Sequence, residues 1–289
     1  MSSIPISVNP ETGEKCMMVP LGRGYKVTSE EERRRIREYY EREAANERRR
    51  EMRWVACYHD PIRNITKDLS LTEAGALIRL LPFLRFKSDG KLISDGKPLK
   101  QVDIRQIIGR SKRMTVDILA RLEKLGVITK EINGRNNEYY ISFDYHTYGQ
   151  TKEGDVKFTK LYQYHTNELT KDLNLNEIGL LYKILPYFHY QKFYLCDNPD
   201  EYIEEDADTG ELEMLTREEL AERIGHDVDT VTTLVGKLQS KGVLLSTKSM
   251  GTVNYMVHPD VMYRQDTEDL KYMKVVKDMF AQHRKRRRK

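Results

Sequence analysis

Residues 66–83 read TKDLSLTEAGALIRLLPF, and residues 170–187 read TKDLNLNEIGLLYKILPY, with no gap needed to superpose them. Sliding residues 54–86 onto 158–190, an offset of 104, keeps 11 identities in 33 positions. Among them are Tyr58/Tyr162, the TKDL phrase, Glu73/Glu177, Gly75/Gly179 and Pro82/Pro186. Downstream the register returns after an insertion in the second copy, where Gly109/Gly225, Leu122/Leu238, Gly126/Gly242 and Tyr139/Tyr255 coincide. Two long copies are a duplicated domain, because solenoid units are shorter and more numerous. A chain of 289 residues is long enough for each copy to bury a core of its own. The expected organisation is a leader and charged helix over 1–53, domains over 54–150 and 151–265, and a C-terminal helix with a basic tail over 266–289.

Within one copy the elements follow from caps and periodicity. Ser70 and Asn174 each stand three residues before a glutamate, Glu73 and Glu177, the pattern of a capping box that opens a helix. Leu77, Leu80, Leu81 and Leu84, like Leu181, Ile184, Leu185 and Phe188, recur at helical spacing and predict one buried stripe. Pro82 and Pro186 should end or kink both helices at the same place. Thr216 and Glu219 form another capping box, opening a short helix that stops at Gly225. Val228, Val231, Leu234, Val235 and Leu238 then mark a second helix, followed by two strands around a glycine-containing turn. The first copy repeats the order over 102–108, Gly109, 112–125, Gly126 and a hairpin. Helix, helix-turn-helix and β-hairpin predict a mainly α fold with small β-hairpin wings, an α+β duplicated winged helix.

This order resembles winged helix-turn-helix domains of the MarR-like kind, in which the helix after the turn enters the major groove and the hairpin follows the backbone. The NPETGE leader at 9–14, together with the Leu77-x-x-Leu80-Leu81-Pro82 pattern, resembles the RepL-like replication proteins of Gram-positive plasmids and phages. The resemblance implies sequence-specific binding of double-stranded DNA and a role as a replication initiator. The duplication departs from relatives that carry a single such unit. A transcription regulator on an operator and a non-catalytic protein-interaction adaptor are the alternatives.

The residues themselves point to DNA in the first copy. Arg110, Ser111, Lys112 and Arg113 put three positive charges beside a helix start, which already favours phosphate. With Thr115, Ile118, Leu119 and Leu122 turned inward, the outward set is Lys112, Arg113, Val116 and Asp117. Arg113 suits guanine, Asp117 cytosine N4, and Val116 a thymine methyl. Lys130, Arg135, Asn136 and Asn137 on the wing are candidates for phosphate or minor-groove contact. In the second copy Asp227, Val228 and Asp229 replace the bases, leaving Thr232, Thr233 and Lys237 for weaker contacts. A solvated charged face is the bland alternative for the first surface, and a protein contact for the second.

The net charge of +4 conceals an asymmetry. Residues 54–150 carry 16 Lys and Arg against 11 Asp and Glu, whereas 151–265 carry 12 against 20. Nine of those acids lie in the insert 197–213, which holds no base and so offers nothing local to neutralise them. Residues 28–52 predict one long helix, capped by Ser29 and Glu32 and laced by Glu30/Arg34, Glu31/Arg35 and Glu38/Arg42 pairs. Leu270, Met273, Val276 and Phe280 predict a C-terminal helix that packs on a domain or pairs with its twin in a homodimer. Arg284, Lys285, Arg286, Arg287, Arg288 and Lys289 read as a flexible arm for nucleic acid, with a solubilising tail as the alternative.

Catalytic signatures are missing from the sequence. It has no GxxxxGK phosphate loop and no His-x-His pair, and Asp206-x-Asp208 and Asp227-x-Asp229 read as surface acidity rather than metal ligands. The expectation is a protein that is not an enzyme and uses no cofactor. Cys16, Cys57 and Cys196 lie far apart with no CxxC, which fits a reducing compartment. No apolar run approaches the roughly 18 to 20 residues of a membrane span. A cytoplasmic, nucleoid-associated protein is expected, with double-stranded DNA and the host replication or transcription machinery as partners.

Overall fold

A computed structural model describes residues 6–17, 30–134, 136–203, 212–249, 252–265 and 270–287. The chain divides into two compact units, Met1–Arg49 and Arg50–Lys289. In the smaller unit the NPETGE stretch is the loop of a hairpin whose antiparallel strands are β1 (Ile6–Val8) and β2 (Lys15–Met17). The Asn9 amide donates to the Glu14 carbonyl at 2.8 Å, and Gly13 takes the left-handed φ of 70° that closes the turn. Helix α1 runs over Glu30–Glu51. Arg35 pairs with Glu31 at 2.7 Å as expected, whereas Arg34 reaches forward to Glu38 at 3.6 Å rather than back to Glu30. The cap expected at Ser29 and the pairing of Arg42 lie outside the described residues and side chains.

The larger unit is mixed α+β with small antiparallel sheets. Its first half comprises β3 (Trp54–Tyr58), α2 (His59–Ile65), α3 (Leu71–Leu80), a 3-10 turn at Leu81–Phe83, and a short hairpin of β4 (Ile93–Ser94) and β5 (Lys97–Pro98). Then follow α4 (Gln101–Ile108), α5 (Lys112–Lys124), the hairpin β6 (Ile128–Asn133) and β7 (Asn136–Ile141), and β8 (His146–Tyr148). The second half has β9 (Phe158–Tyr162), α6 (Gln163–Thr170), α7 (Leu175–Lys183) and a 3-10 turn at Leu185–Tyr187. It continues with α8 (Arg217–Ile224), α9 (Val228–Lys241), β10 (Leu244–Ser249), β11 (Thr252–Val257), β12 (Met262–Tyr263) and finally α10 (Leu270–Arg287). Among the described residues no helix is long and apolar enough to cross a membrane.

The caps and breaks fall where the local sequence sets them. Ser70, Asn174 and Thr216 each complete a capping box with the glutamate three residues on. Both α3 and α7 give way to a 3-10 turn around their proline, which has no amide to continue the helix. Gly109 and Gly225 end α4 and α8 in the left-handed conformation. In each half a third segment joins the hairpin: the Leu92 amide donates to the Tyr139 carbonyl, and that of Leu195 to Tyr255, both at 2.9 Å.

Contrary to the expected boundary near residue 150, the two copies do not part into separate bodies. One continuous cluster of buried residues runs through both, and the sheet order β12-β9-β3-β8 joins the two strands of one copy edge to edge with the two of the other. The register of β3 on β9 pairs Ala56 with Lys160, its own counterpart in the repeat, so an approximate two-fold axis passes through that pair. The seam is reciprocal where α3 and α7 cross. A Cβ on Gly75 would lie 2.0 Å from the Leu175 carbonyl oxygen, and one on Gly179 would lie 2.0 Å from that of Leu71. Helices α3 and α7 therefore meet backbone to backbone. Arg79 at the end of α3 donates to the Thr170 carbonyl at 2.8 Å, and Lys183 at the end of α7 donates to that of Thr66 at 2.7 Å. Each base thus satisfies a carbonyl left open at the C-terminus of the other copy's helix. The repeated TKDL phrase is that helix end: Thr66 and Thr170 each donate to the carbonyl four residues back at 2.7 Å, while Leu69 and Leu173 are buried.

Two features of the second half also differ from expectation. The acidic insert does have partners, because Arg223 holds the Asp197 carboxylate with bonds of 2.9 and 2.6 Å and Arg264 donates to Asp200. Ile203 and Leu212 of the insert form a small buried cluster with Cys196. Met273, Val276 and Phe280 of α10 are buried against the main core, and the helix continues through Arg287. The backbone of 284–287 is therefore helical rather than a loose arm, since α10 is already nucleated by its packed face. Arg288 and Lys289 lie outside the described residues.

The close approach of α3 and α7 is open to test. Helix propensity alone favours Ala over Gly by about 1 kcal/mol in a helix interior, yet Gly75→Ala and Gly179→Ala should each destabilise the protein, by about 1–3 kcal/mol or more from overpacking. Urea denaturation of the two variants measures this, and a gain in midpoint would contradict the backbone contact.

Acid should also weaken the fold. Burial pushes the imidazoles of His59, His146, His189 and His258 down from an ordinary 6.5, His146 to about 3 and His189 and His258 to about 4. His59 and His146 lie on the seam, bonded to Thr159 at 2.9 Å and the Tyr182 hydroxyl at 2.8 Å. Below pH 6.5 the unfolded chain takes up protons that these folded imidazoles refuse, so stability is full above that value and is lost as pH falls toward 4. By pH 5 His146, His189 and His258 each contribute a loss of about 2 kcal/mol. Denaturation midpoints that stay level between pH 7 and pH 5 would contradict it.

Candidate nucleic-acid interface

Helix α5 is set by its cap and its buried face. The Ser111 hydroxyl accepts from the Met114 amide at 3.3 Å, and Thr115, Ile118, Leu119 and Leu122 are buried as their spacing predicts. The opposite face carries Lys112, Arg113, Val116 and Asp117, all exposed, with Val116 42 % accessible. Arg110 precedes them, half-exposed. None of the three bases has a carboxylate partner among the described residues. Helix and hairpin come together around a cavity of about 280 Å³, lined in part by Val116, Glu123, Lys130 and Asn137. A second hollow, of about 250 Å³, places Arg105 and Gln101 of α4 beside Lys112. Sequence reasoning missed Arg105; its exposed position one turn before Gly109 is the signal that marks it.

The β6–β7 hairpin is more constrained than its composition suggests. Lys130 pairs with Glu123 of α5 at 2.8 Å, a bond that raises the lysine's affinity for its proton and ties the strand to the helix. Glu138 gathers Lys91 at 2.5 Å, Asn133 at 3.0 Å and the Tyr140 hydroxyl at 3.1 Å, and these bonds hold its carboxyl below the usual carboxylate range. Asn136 is exposed opposite Asn133 at the tip, and Asn137 is half-buried opposite Ile132. Ile132 is 80 % accessible and was not foreseen as a surface residue. Arg135 lies outside the described residues.

The equivalent face of the second half has different chemistry in the same geometry. Asp227 stands where Ser111 stands and caps α9, accepting from the Thr230 amide and hydroxyl, both at 2.7 Å. Those bonds hold its carboxyl below the usual range. Thr232 is half-buried and donates its hydroxyl to the Val228 carbonyl at 2.7 Å, which occupies the proton that a base contact would use. Thr233 and Asp229 are exposed, and Lys237 approaches Glu177 at 4.0 Å. At the C-terminal end of α9 the Arg284 guanidinium lies against Gly242, where a Cβ would come within 2.6 Å of its Nε. A cation there meets the negative end of the helix dipole. The side chains of Lys285, Arg286, Arg287, Arg288 and Lys289 lie outside those described, as do Asp206 and Asp208 of the insert.

The structure thus assembles Lys112, Arg113, Val116, Lys130 and Asn137 on one side of the first half, and leaves the corresponding side of the second half without a cluster of free cations among the described residues. In comparisons with known proteins, no family model matches the chain, and no curated protein matches it.

Proposed function

We propose that the halves of the larger unit are two winged helices and that the chain binds double-stranded DNA chiefly through α5 and the β6–β7 hairpin. The observation that carries this reading is the set of exposed, unpartnered Lys112 and Arg113 in the first turn of α5, beside the groove that helix and hairpin form together. Backbone amides and positive side chains converge there on the space a phosphate or a guanine edge would occupy. On α9 the same positions are Val228 and Asp229, so the two faces make unequal contributions. An internal two-fold supplies within one chain the paired arrangement that dimeric readers obtain from two copies. The expected site is accordingly a strong half-site for α5 beside a weak or degenerate one, bound by a single chain.

Replication initiation is placed ahead of transcription regulation on the resemblance of the NPETGE leader and of the first helix to RepL-like proteins. Genome-wide footprinting on the native replicon discriminates the two: sites at an origin or inside the chain's own coding region support initiation, and sites at promoters of other genes support regulation.

Lys112→Ala with Arg113→Ala should reduce specific affinity by roughly tenfold or more for each of the two side chains, while Thr232→Ala with Thr233→Ala has a smaller effect. Equal reductions from both pairs in a binding titration would remove the asymmetry. Deleting residues 285–289 spares Arg284 at the end of α9. It should lower affinity for all sequences together and shrink the slope of log affinity against log salt by up to about 0.9 for each phosphate no longer neutralised. An unchanged slope would make those residues a solubilising end.

A further inference from the structure

The larger unit holds a further cavity, lined by no residue of α5. Beside β3 and β9 lies a cavity of about 620 Å³, within the range of small-ligand pockets. Four aromatic side chains line it, Trp54, Phe86, Tyr148 and Phe158, with Trp54 and Phe158 stacked at 6.2 Å and Phe86 edge-on to Tyr148 at 5.2 Å. Three cations join them. Lys160 lies 5.4 Å over the Trp54 ring, Lys152 is anchored to Asp144 at 3.0 Å, and Arg53 is exposed with no carboxylate partner among the described residues. No carboxylate is found among the described residues that line the cavity.

Phe86 is 57 % accessible yet fixed in place: its ring packs where a Cβ of Gly149 would sit, 2.2 Å away, and Gly149 holds a left-handed φ of 80°. An exposed ring held by a glycine and a neighbouring tyrosine keeps a π face ready at little entropic cost.

The duplication supplies an internal comparison. By the two-fold, Phe86 corresponds to Tyr190 and Tyr148 to Arg264. In the second half the equivalent hollow is smaller, about 300 Å³, and its lining is already paired within the chain: Arg264 lies 5.6 Å over the Tyr190 ring, donates to the Pro199 carbonyl at 2.8 Å, and holds the Asp200 carboxylate. A cation thus already lies over the aromatic ring there, neutralised by a carboxylate of the chain. In the first half the rings and cations are present and no anion of the chain fills the place among the described residues.

We infer that this cavity binds one nucleotide unit, a flat base against the Phe86 and Trp54 rings with its phosphate toward Arg53 and Lys152. Aromatic faces accept any base, and the cations select ligands that carry phosphate. The source is either a free nucleotide or a base of a single strand, and duplex recognition by α5 is not required.

Trp54 is the single tryptophan of the chain beside 18 tyrosines, so emission excited at the red edge where only tryptophan absorbs reports on this cavity. Full-length protein is titrated with AMP, with oligothymidylate of about ten nucleotides, with adenosine, and with inorganic phosphate. The expected result is a saturable change in Trp54 emission with AMP or the oligomer, at concentrations well below those at which adenosine or phosphate acts. Tighter binding of the oligomer than its number of bases explains identifies a strand, and equal binding per nucleotide identifies the free nucleotide. Phe86→Ala should weaken the response about tenfold, and Lys152→Ala should weaken it and reduce its salt dependence. Both leave the melting temperature within a few degrees of the parent, and Lys112→Ala with Arg113→Ala leaves the titration unchanged. No response to either nucleotide probe, a response matched by phosphate alone, or a response that persists undiminished in Phe86→Ala overturns the inference.

Discussion

Helices α3 and α7 can cross only because each presents a glycine to the other's backbone. With no Cβ at Gly75 or Gly179 the carbonyls of Leu175 and Leu71 come into contact range, and the rest of the seam is placed by that approach. It brings Arg79 and Lys183 to the open ends of α6 and α2, where each closes a helix belonging to the other copy. It also sets β3 beside β9 with Ala56 opposite Lys160, so that strands from both copies share one sheet. Lys183 shows the cost of this arrangement. Buried, it donates to the Thr66 and Ile224 carbonyls, and burial brings its ammonium down to about 8. A charge is retained inside because the carbonyls it serves would otherwise be unsatisfied.

Local structure was legible in the sequence because its causes are local. The boxes at Ser70, Asn174 and Thr216, the prolines that end α3 and α7, and the stripes of α5, α9 and α10 all depend on residues within one or two turns. The seam was not legible, although it left a trace: Gly75 and Gly179 are the same residue at the same place in a helix interior, where propensity argues against glycine. Periodicity said that Leu77 and Leu181 face inward without saying that they face a shared core. The strands β3 and β9 and the short helices α2 and α6 escaped notice for a related reason. Each is stabilised by pairing across the seam rather than by a pattern of its own.

The same limit applies to the sites. Exposure of Lys112, Arg113 and Val116 follows from one helix's phase and was readable from spacing. That Lys130 is held by Glu123, or that Asp197 and Asp200 of the insert are held by Arg223 and Arg264, depends on partners brought together by tertiary folding. The aromatic cavity is a sharper case, since Arg53, Phe86 and Lys152 are separated in sequence and no spacing rule links them.

Divergence between the copies follows a rule that bears on function. Ser111 and Asp227 both cap a helix, one with a neutral hydroxyl and one with a carboxylate, so the helix start is preserved while its charge changes. Tyr148 at the end of β8 and Arg264 just after β12 match by the two-fold, and the second binds Pro199 and Asp200 of the insert where the first leaves a wider hollow. In the first pair the substitution keeps the structural duty and alters the charge, and in the second it supplies a buried cation that pairs with the insert. A duplicated fold whose core is shared can change only its outward positions freely, because a change at the seam disturbs both halves at once. The two faces and the two aromatic places are therefore where differences between the halves can accumulate without disturbing the crossing of α3 and α7.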